Sequence, residues 1–194
     1  MDVWSPIIDT SKALFEQMAA YDRLTALHCY RVEQLAINFA AALKLPQQMI
    51  HDISRAALLH DLGKIKIAIA ILNNPGTLSD TEFKIIQKHA EYGFSMLKEW
   101  GPKNILDAVL YHHEKYNGTG YPEGRRCENI PLIARILSIV DVYEAITSNR
   151  PYRTAMVSKE ALLVIKEGKG SHFDPILVDA FLQQFSLGAL KLKE

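Results

Sequence analysis

Ten residues, Arg55-Ala56-Ala57-Leu58-Leu59-His60-Asp61-Leu62-Gly63-Lys64, constrain this chain more than any other stretch. They open as an apolar helical segment and close on a His-Asp pair, a glycine and a lysine. A carboxylate beside an imidazole in apolar surroundings is costly unless something satisfies both groups. A divalent ion does so, because neutral imidazole and ionised carboxylate are ordinary first-row metal ligands. Adjacent helical positions point about 100° apart, so the pair can meet one ion only where the helix bends or stops. Gly63 stands where a C-terminal stop belongs. A plain helix end, with His60 as a cap and Asp61 in solvent, fits these residues equally well, and the rest of the chain must decide.

The remaining pattern is helical. Leu14, Phe15, Met18 and Ala19 make an apolar stripe over residues 9–22, with Thr10 or Ser11 as N-cap candidates. From Arg23 to Leu43 a second stripe, Val32, Leu35, Phe39 and Leu43, extends backward onto His28. Cys29 is turned away from His28 and reads as packing. A third helix starts near Pro46, a good first-turn residue, and delivers His60 and Asp61. Ile65 to Leu72 reads as short and extended, before the turn Asn73-Asn74-Pro75-Gly76. Ser79 with Glu82 predicts a capping box opening a helix that reaches His89, and another helix follows from Tyr92 to Trp100.

From Lys103 to Glu114, Ile105, Val109 and His112 form one apolar row, and Leu106, Leu110 and His113 form the adjacent one. Two successive histidines thus extend two inward-facing rows. The glycine-rich loop Lys115 to Ile130 carries Gly118-Thr119-Gly120-Tyr121-Pro122, where glycine permits sharp turns and close backbone approach. Pro131 opens an apolar helix from Leu132 to Thr147 that contains Asp141, a carboxylate on an apolar face that needs a partner. Helices near Ser158 to Glu167 and Asp174 to Phe185 finish the chain, with no convincing strand pair, so the expected class is all-α.

Composition narrows the function. At 194 residues the chain has the length of one domain. Its 22 basic and 22 acidic residues balance, which argues against coating duplex nucleic acid or a membrane surface. Ile67 to Leu72 is the longest unbroken apolar run, too short to span a bilayer. No secretory signal is legible in MDVWSPIIDTSK, and two cysteines make no disulfide framework, so the expected compartment is the cytoplasm. No sensory or receiver segment is expected.

The ligand-type residues are therefore His28, His60, Asp61, His89, His112, His113 and Asp141, which include five of the seven histidines. Seven nitrogen and oxygen ligands exceed what one ion takes from protein and suit two divalent ions sharing a carboxylate. The lack of thiolate disfavours structural zinc.

On these residues the sequence resembles the HD-GYP group of the HD metal-dependent phosphohydrolase superfamily. The motifs are His60-Asp61-Leu62-Gly63-Lys64, His112-His113-Glu114, Gly118-Thr119-Gly120-Tyr121-Pro122 and Asp141. The likeness runs from about Thr25 to Phe185 and takes in Ile130-Pro131, Ala134-Arg135, Arg150-Pro151-Tyr152-Arg153 and Phe173-Asp174-Pro175. It implies an HD-domain helical bundle with additional C-terminal helices of the HD-GYP type, as one domain over residues 1–194 with an N-terminal helix over 1–22.

The implied activity is hydrolysis of cyclic di-GMP to linear pGpG, and in some members onward to GMP, by metal-activated hydroxide attack at phosphorus. By resemblance, His28, His60, Asp61 and Asp141 bind one ion, and Asp61 bridges to a second held by His89, His112 and His113. Asp61 and Lys64 are the implied catalytic residues. Lys64, Arg150 and Arg153 match phosphate-contacting positions, and Gly120, Tyr121 and Pro122 line the site mouth and meet signalling proteins in some members. Iron or manganese is the expected metal, with nickel as a further option.

The sequence also departs from the group. Leu24 stands where some members place a third-metal glutamate, so two ions are expected. Ala68, Asn74 and Asn117 replace the more usual proline, lysine and aspartate. Two other readings stay open: the same chemistry on cyclic GMP-AMP, and a cyclic dinucleotide receptor that has lost turnover.

Overall fold

A computed structural model describes residues 5–99, 101–149, 154–188 and 190, with side chains from residue 10 onward. The described residues form helices α1 (Ser5–Tyr21), α2 (Arg23–Ala42), α3 (Gln47–Leu59), α4 (Ile69–Leu72), α5 (Asp80–Gln87), α6 (His89–Leu97), α7 (Lys103–Tyr111), α8 (Leu132–Thr147), α9 (Ser158–Glu167) and α10 (Pro175–Ser186). Short 3-10 turns cover Leu62–Lys66 and Cys127–Asn129. Among the described residues the only β pairing is one isolated bridge between Lys169 and Phe173, and the class is all-α.

Local chemistry sets where the site-bearing helices begin. Asp22 caps α2, accepting from the Leu24 amide at 3.1 Å and the Thr25 hydroxyl at 2.6 Å. That cap places His28 in the second turn. Ser79 and Glu82 form the expected capping box at the start of α5. α8 has the predicted bounds and is buried on nearly every side, as a helix at the centre of a bundle must be. Ala36 and Ala40 of α2 and Ala56 and Ala57 of α3 are fully buried, and small side chains there let the two helices close. Phe181 of α10 packs edge-on against Phe39 of α2, with ring centroids 5.1 Å apart. Arg135 donates to the Ile130 carbonyl at 2.9 Å and pairs with Asp174, which caps α10. One arginine thereby joins the end of the glycine-rich loop, α8 and the C-terminal helices.

Four expectations change. α1 begins at Ser5, so Thr10 and Ser11 lie inside it rather than capping it. Residues 65–72 are extended only at Ile67 and Ala68; Ile65 and Lys66 belong to the 3-10 turn, which packs on α6, and Ile69–Leu72 form α4. The break after Ser79–His89 comes at Lys88, so His89 opens α6 instead of ending α5. The predicted segment from Tyr92 therefore starts three residues earlier, and its predicted end, Trp100, lies outside the described residues. α7 stops at Tyr111, which leaves His112 and His113 just beyond the helix. Among the described residues no helix is long and apolar enough to cross a membrane.

Candidate metal centre

Three buried histidines share one device. His60, His89 and His112 each place Nδ1 against the carbonyl three residues earlier: Ala57 at 2.7 Å, Ile86 at 2.7 Å and Val109 at 2.8 Å. A carbonyl only accepts, so each Nδ1 carries the proton and each Nε2 presents a lone pair. Each acceptor belongs to the last turn of α3, α5 or α7, where carbonyls lack helical partners. The His89 and His112 Nε2 atoms are 3.2 Å apart, so two lone pairs face each other. Among the described residues the buried His60 Nε2 has no hydrogen-bond partner. Such an arrangement is repulsive unless a cation lies among the nitrogens, and this is what a metal-ligating histidine with an oriented Nδ1–H looks like.

The seven predicted side chains come together. His89, His112 and His113 offer ligand atoms to one point, and His28, His60 and Asp141 offer theirs to another, all within 4.8 Å in each group. Asp61 lies between them. Its Oδ1 is 3.4 Å from His89 Nε2, and its Oδ2 is 3.5 Å from His60 Nε2 and 3.8 Å from His28 Nε2. Lys64 closes on the same Oδ2 at 2.6 Å. Burial alone would raise the Asp61 pKa, but Lys64 and the surrounding histidines outweigh it and hold the carboxyl well below its usual range. Burial likewise works against a charged Lys64, and Asp61 overrides it and raises the ammonium.

The two groups titrate differently. Burial pushes His89 down to about 4 and His113 down to about 3, and it lowers His112 strongly, with help from His113. His28 goes the other way. Burial opposes its charge, yet hydrogen bonds to Asp141 and Glu144 lift it to about 9. His28 Nε2 is 2.8 Å from Asp141 Oδ1, and its Nδ1 donates to Glu144 Oε2. Asp141 is held far below the ordinary carboxylate range despite its burial, chiefly by the His28 hydrogen bond.

Sequence reasoning passed over Glu144. It is fully buried three residues after Asp141, on the same face of α8, and orients His28. The Asp-x-x-Glu spacing was the available signal. Cys29 packs in the core as expected, but its sulfur also comes within 4.8 Å of ligand atoms on His60 and Asp61, and burial raises its pKa. Gly63 is no left-handed stop; it sits inside the 3-10 turn. A Cβ there would lie 1.9 Å from the His89 carbonyl oxygen and 2.5 Å from the Gly93 amide nitrogen. Its role is close approach, which brings Asp61 onto the start of α6.

The Gly-Tyr-Pro loop folds over His113. The Tyr121 amide donates to the His113 carbonyl at 3.3 Å, and the two rings sit 4.9 Å apart. Gly120 has no room for a side chain, since a Cβ would lie 2.3 Å from the Lys115 nitrogen and 2.5 Å from the His113 oxygen. Pro122 follows through a cis peptide bond. Arg150 and Arg153 lie outside the described residues. Beside His28 and Lys64 a cleft opens between α2, the 3-10 turn and the end of α8.

Buried imidazoles around ionised carboxylates, in a helical bundle, make a site whose chemistry suits divalent metal ions. The HD domain family profile matches residues 2–177, and the chain belongs to that family. A cyclic di-GMP phosphodiesterase of Pseudomonas aeruginosa is 40% identical over 87% of this chain and 42% of its own length. A 3'3'-cGAMP-specific phosphodiesterase of Vibrio cholerae is 38% identical over 82% of this chain and 32% of its own. The chain thus spans less than half of these curated relatives. An HDG"Y"P protein from Bdellovibrio bacteriovorus shares the fold, with a TM-score of 0.67 at 19% identity over 83% of this chain and 52% of that structure.

Proposed function

We propose that the chain is a cyclic dinucleotide phosphodiesterase of HD-GYP type that hydrolyses cyclic di-GMP to linear pGpG, or through it to GMP, with residues 1–194 acting as one domain. The observation that carries this reading is the Asp61 carboxylate, with one oxygen turned to His89 and the other to His60 and His28. In it, His28, His60, Asp61 and Asp141 hold one ion, and Asp61, His89, His112 and His113 hold the other. Two divalent ions held there, iron or manganese, or else nickel, would lower the pKa of a shared water and neutralise charge on the attacked phosphodiester.

The chain's own groups do the rest. Three imidazoles are oriented with Nε2 inward, and burial keeps His89 and His112 neutral, so no proton need leave those two when the site loads. Lys64 stays protonated beside Asp61 and offsets charge on a non-bridging phosphate oxygen. Arg150 and Arg153 supply forked donors to phosphate. The Gly120-Tyr121-Pro122 segment roofs His113 and borders the mouth, and its outer face is where a signalling protein would engage.

Cyclic GMP-AMP is the second substrate reading, supported by the 38% identity to a relative named for it. The complete ligand set disfavours a silent receptor. The test is hydrolysis of cyclic di-GMP by protein purified without oxygen and loaded with ferrous iron or manganese, with products resolved by chromatography. Metal-dependent pGpG or GMP, absent from Asp61→Ala along with most of the bound metal, is expected. Unchanged turnover by Asp61→Ala would remove the bridging role. No product from wild-type protein holding two ions would overturn the activity.

A further inference from the structure

The cleft beside His28 has a second half that bond cleavage leaves unexplained. Leu24, Leu27, His28 and Arg31 line it from α2, at the spacing that puts residues side by side on a helix. Lys64 and Leu72 complete this stretch of wall. Leu24 is 50% exposed and Leu27 is 40% exposed, so apolar side chains stand in solvent next to a guanidinium. Arg31 is tethered through one nitrogen only: its Nη1 is 3.4 Å from Ser148 Oγ and 3.5 Å from Glu144 Oε1. Among the described residues its Nη2 and Nε have no partner, which leaves most of a rigid donor fork for a ligand.

A phosphate has no use for an apolar wall, whereas a nucleobase has an apolar face and a polar edge. We propose that this half of the cleft is a nucleobase subsite, in which Leu24, Leu27 and Leu72 pack the base and Arg31 reads a guanine edge. The assignment rests on the phosphodiesterase reading, which puts the attached phosphate at His28 and Lys64. Arg31 lies one helical turn beyond His28, about 5 Å along α2, so a base reaching it leads away from the cleaved bond. Guanine offers O6 and N7 as paired acceptors to an arginine fork. Adenine presents an amino donor in place of O6, which would face the guanidinium donors and leave both unpaired. Leu24, which cannot ligate an ion, thus gains a role as the outer part of the wall.

Equilibrium binding of GMP and of AMP to the manganese-loaded protein tests this by calorimetry. It is run beside hydrolysis of cyclic di-GMP, cyclic di-AMP and the base-free diester bis(p-nitrophenyl) phosphate. GMP is expected to bind about 10- to 100-fold more tightly than AMP, the range of one bidentate base contact. Arg31→Ala and Arg31→Lys should both erase that preference and raise KM for cyclic di-GMP; because Arg31 also touches Glu144, they are compared with wild type at equal bound metal, and Glu144→Gln, which disturbs His28 but not the free fork, should keep the preference. A preference that survives Arg31→Ala, or is retained in full by Arg31→Lys, overturns base-edge reading, as does a wild-type protein that binds GMP no better than AMP. If wild type prefers GMP through Arg31 but cleaves no cyclic dinucleotide, the subsite stands and the phosphodiesterase reading falls.

Discussion

His89, His112 and His113 on one side of Asp61, and His28, His60 and Asp141 on the other, are built from similar side chains but differ in charge. The first group is nitrogen only, and burial keeps its imidazoles neutral. The second carries a carboxylate and, without metal, a proton on His28 held by Asp141 and Glu144. An ion can enter the first group without displacing a proton. It must displace one from the second, so loading there is coupled to pH. The first group also leaves an ion's charge less compensated, which suits it to an anionic phosphate.

The largest effects should come from removing one ligand on each side. Either His89→Ala or His28→Ala is expected to leave about one ion per chain of two, measured by elemental analysis after dialysis, and to reduce turnover to background. Loss of both ions from either variant would mean that the two groups act as one. Glu144→Gln should be milder. It keeps the shape but weakens the acceptor that orients His28, lowering affinity for one ion by about 10- to 100-fold in a chelator titration. An equal loss for both ions would show that Glu144 supports the bundle rather than His28.

The smallest effect concerns stability of the metal-free protein. His28, raised to about 9, contributes stability that is full below its ordinary value of 6.5 and is lost as pH rises toward 9. His89 and His113, lowered to about 4 and about 3, act oppositely: the unfolded chain binds protons first, so stability falls as pH drops below 6.5. His112 adds to the acid side. Thermal melts should therefore peak near neutral pH and fall more steeply toward acid than toward base. Saturating metal should flatten the basic limb, because an ion takes the place of the His28 proton. A metal-free melt that keeps rising to pH 9 would contradict the His28 environment.

Much of this was readable from residues. Pro131 and the apolar run after it gave α8 its bounds, and Ser79 with Glu82 marked the start of α5, because both are local signals within one turn. All seven side chains that meet at the site, Asp61 among them, stood out by their position on apolar rows or helix ends. What escaped depends on distant contacts. Gly63 looks like a helix stop in sequence, yet its constraint is set by the backbone of His89 and Gly93. Glu144 looks like an ordinary helical acid until α2 brings His28 against it. Residues 65–72 carry an alternating pattern that also fits a strand, and packing of the 3-10 turn on α6 and of α4 on α5 breaks it.

The three carbonyls that hold His60, His89 and His112 couple helix ends to ring geometry. Each is a loose end of a helix, and each is tied off by the ring it orients. Ring orientation is therefore tied to how each helix ends: an end wound differently would move its carbonyl and free the imidazole to turn. Substitutions that merely strengthen the ends of α3, α5 or α7 would then look benign in a melting curve and still leave the protein blind to its metal.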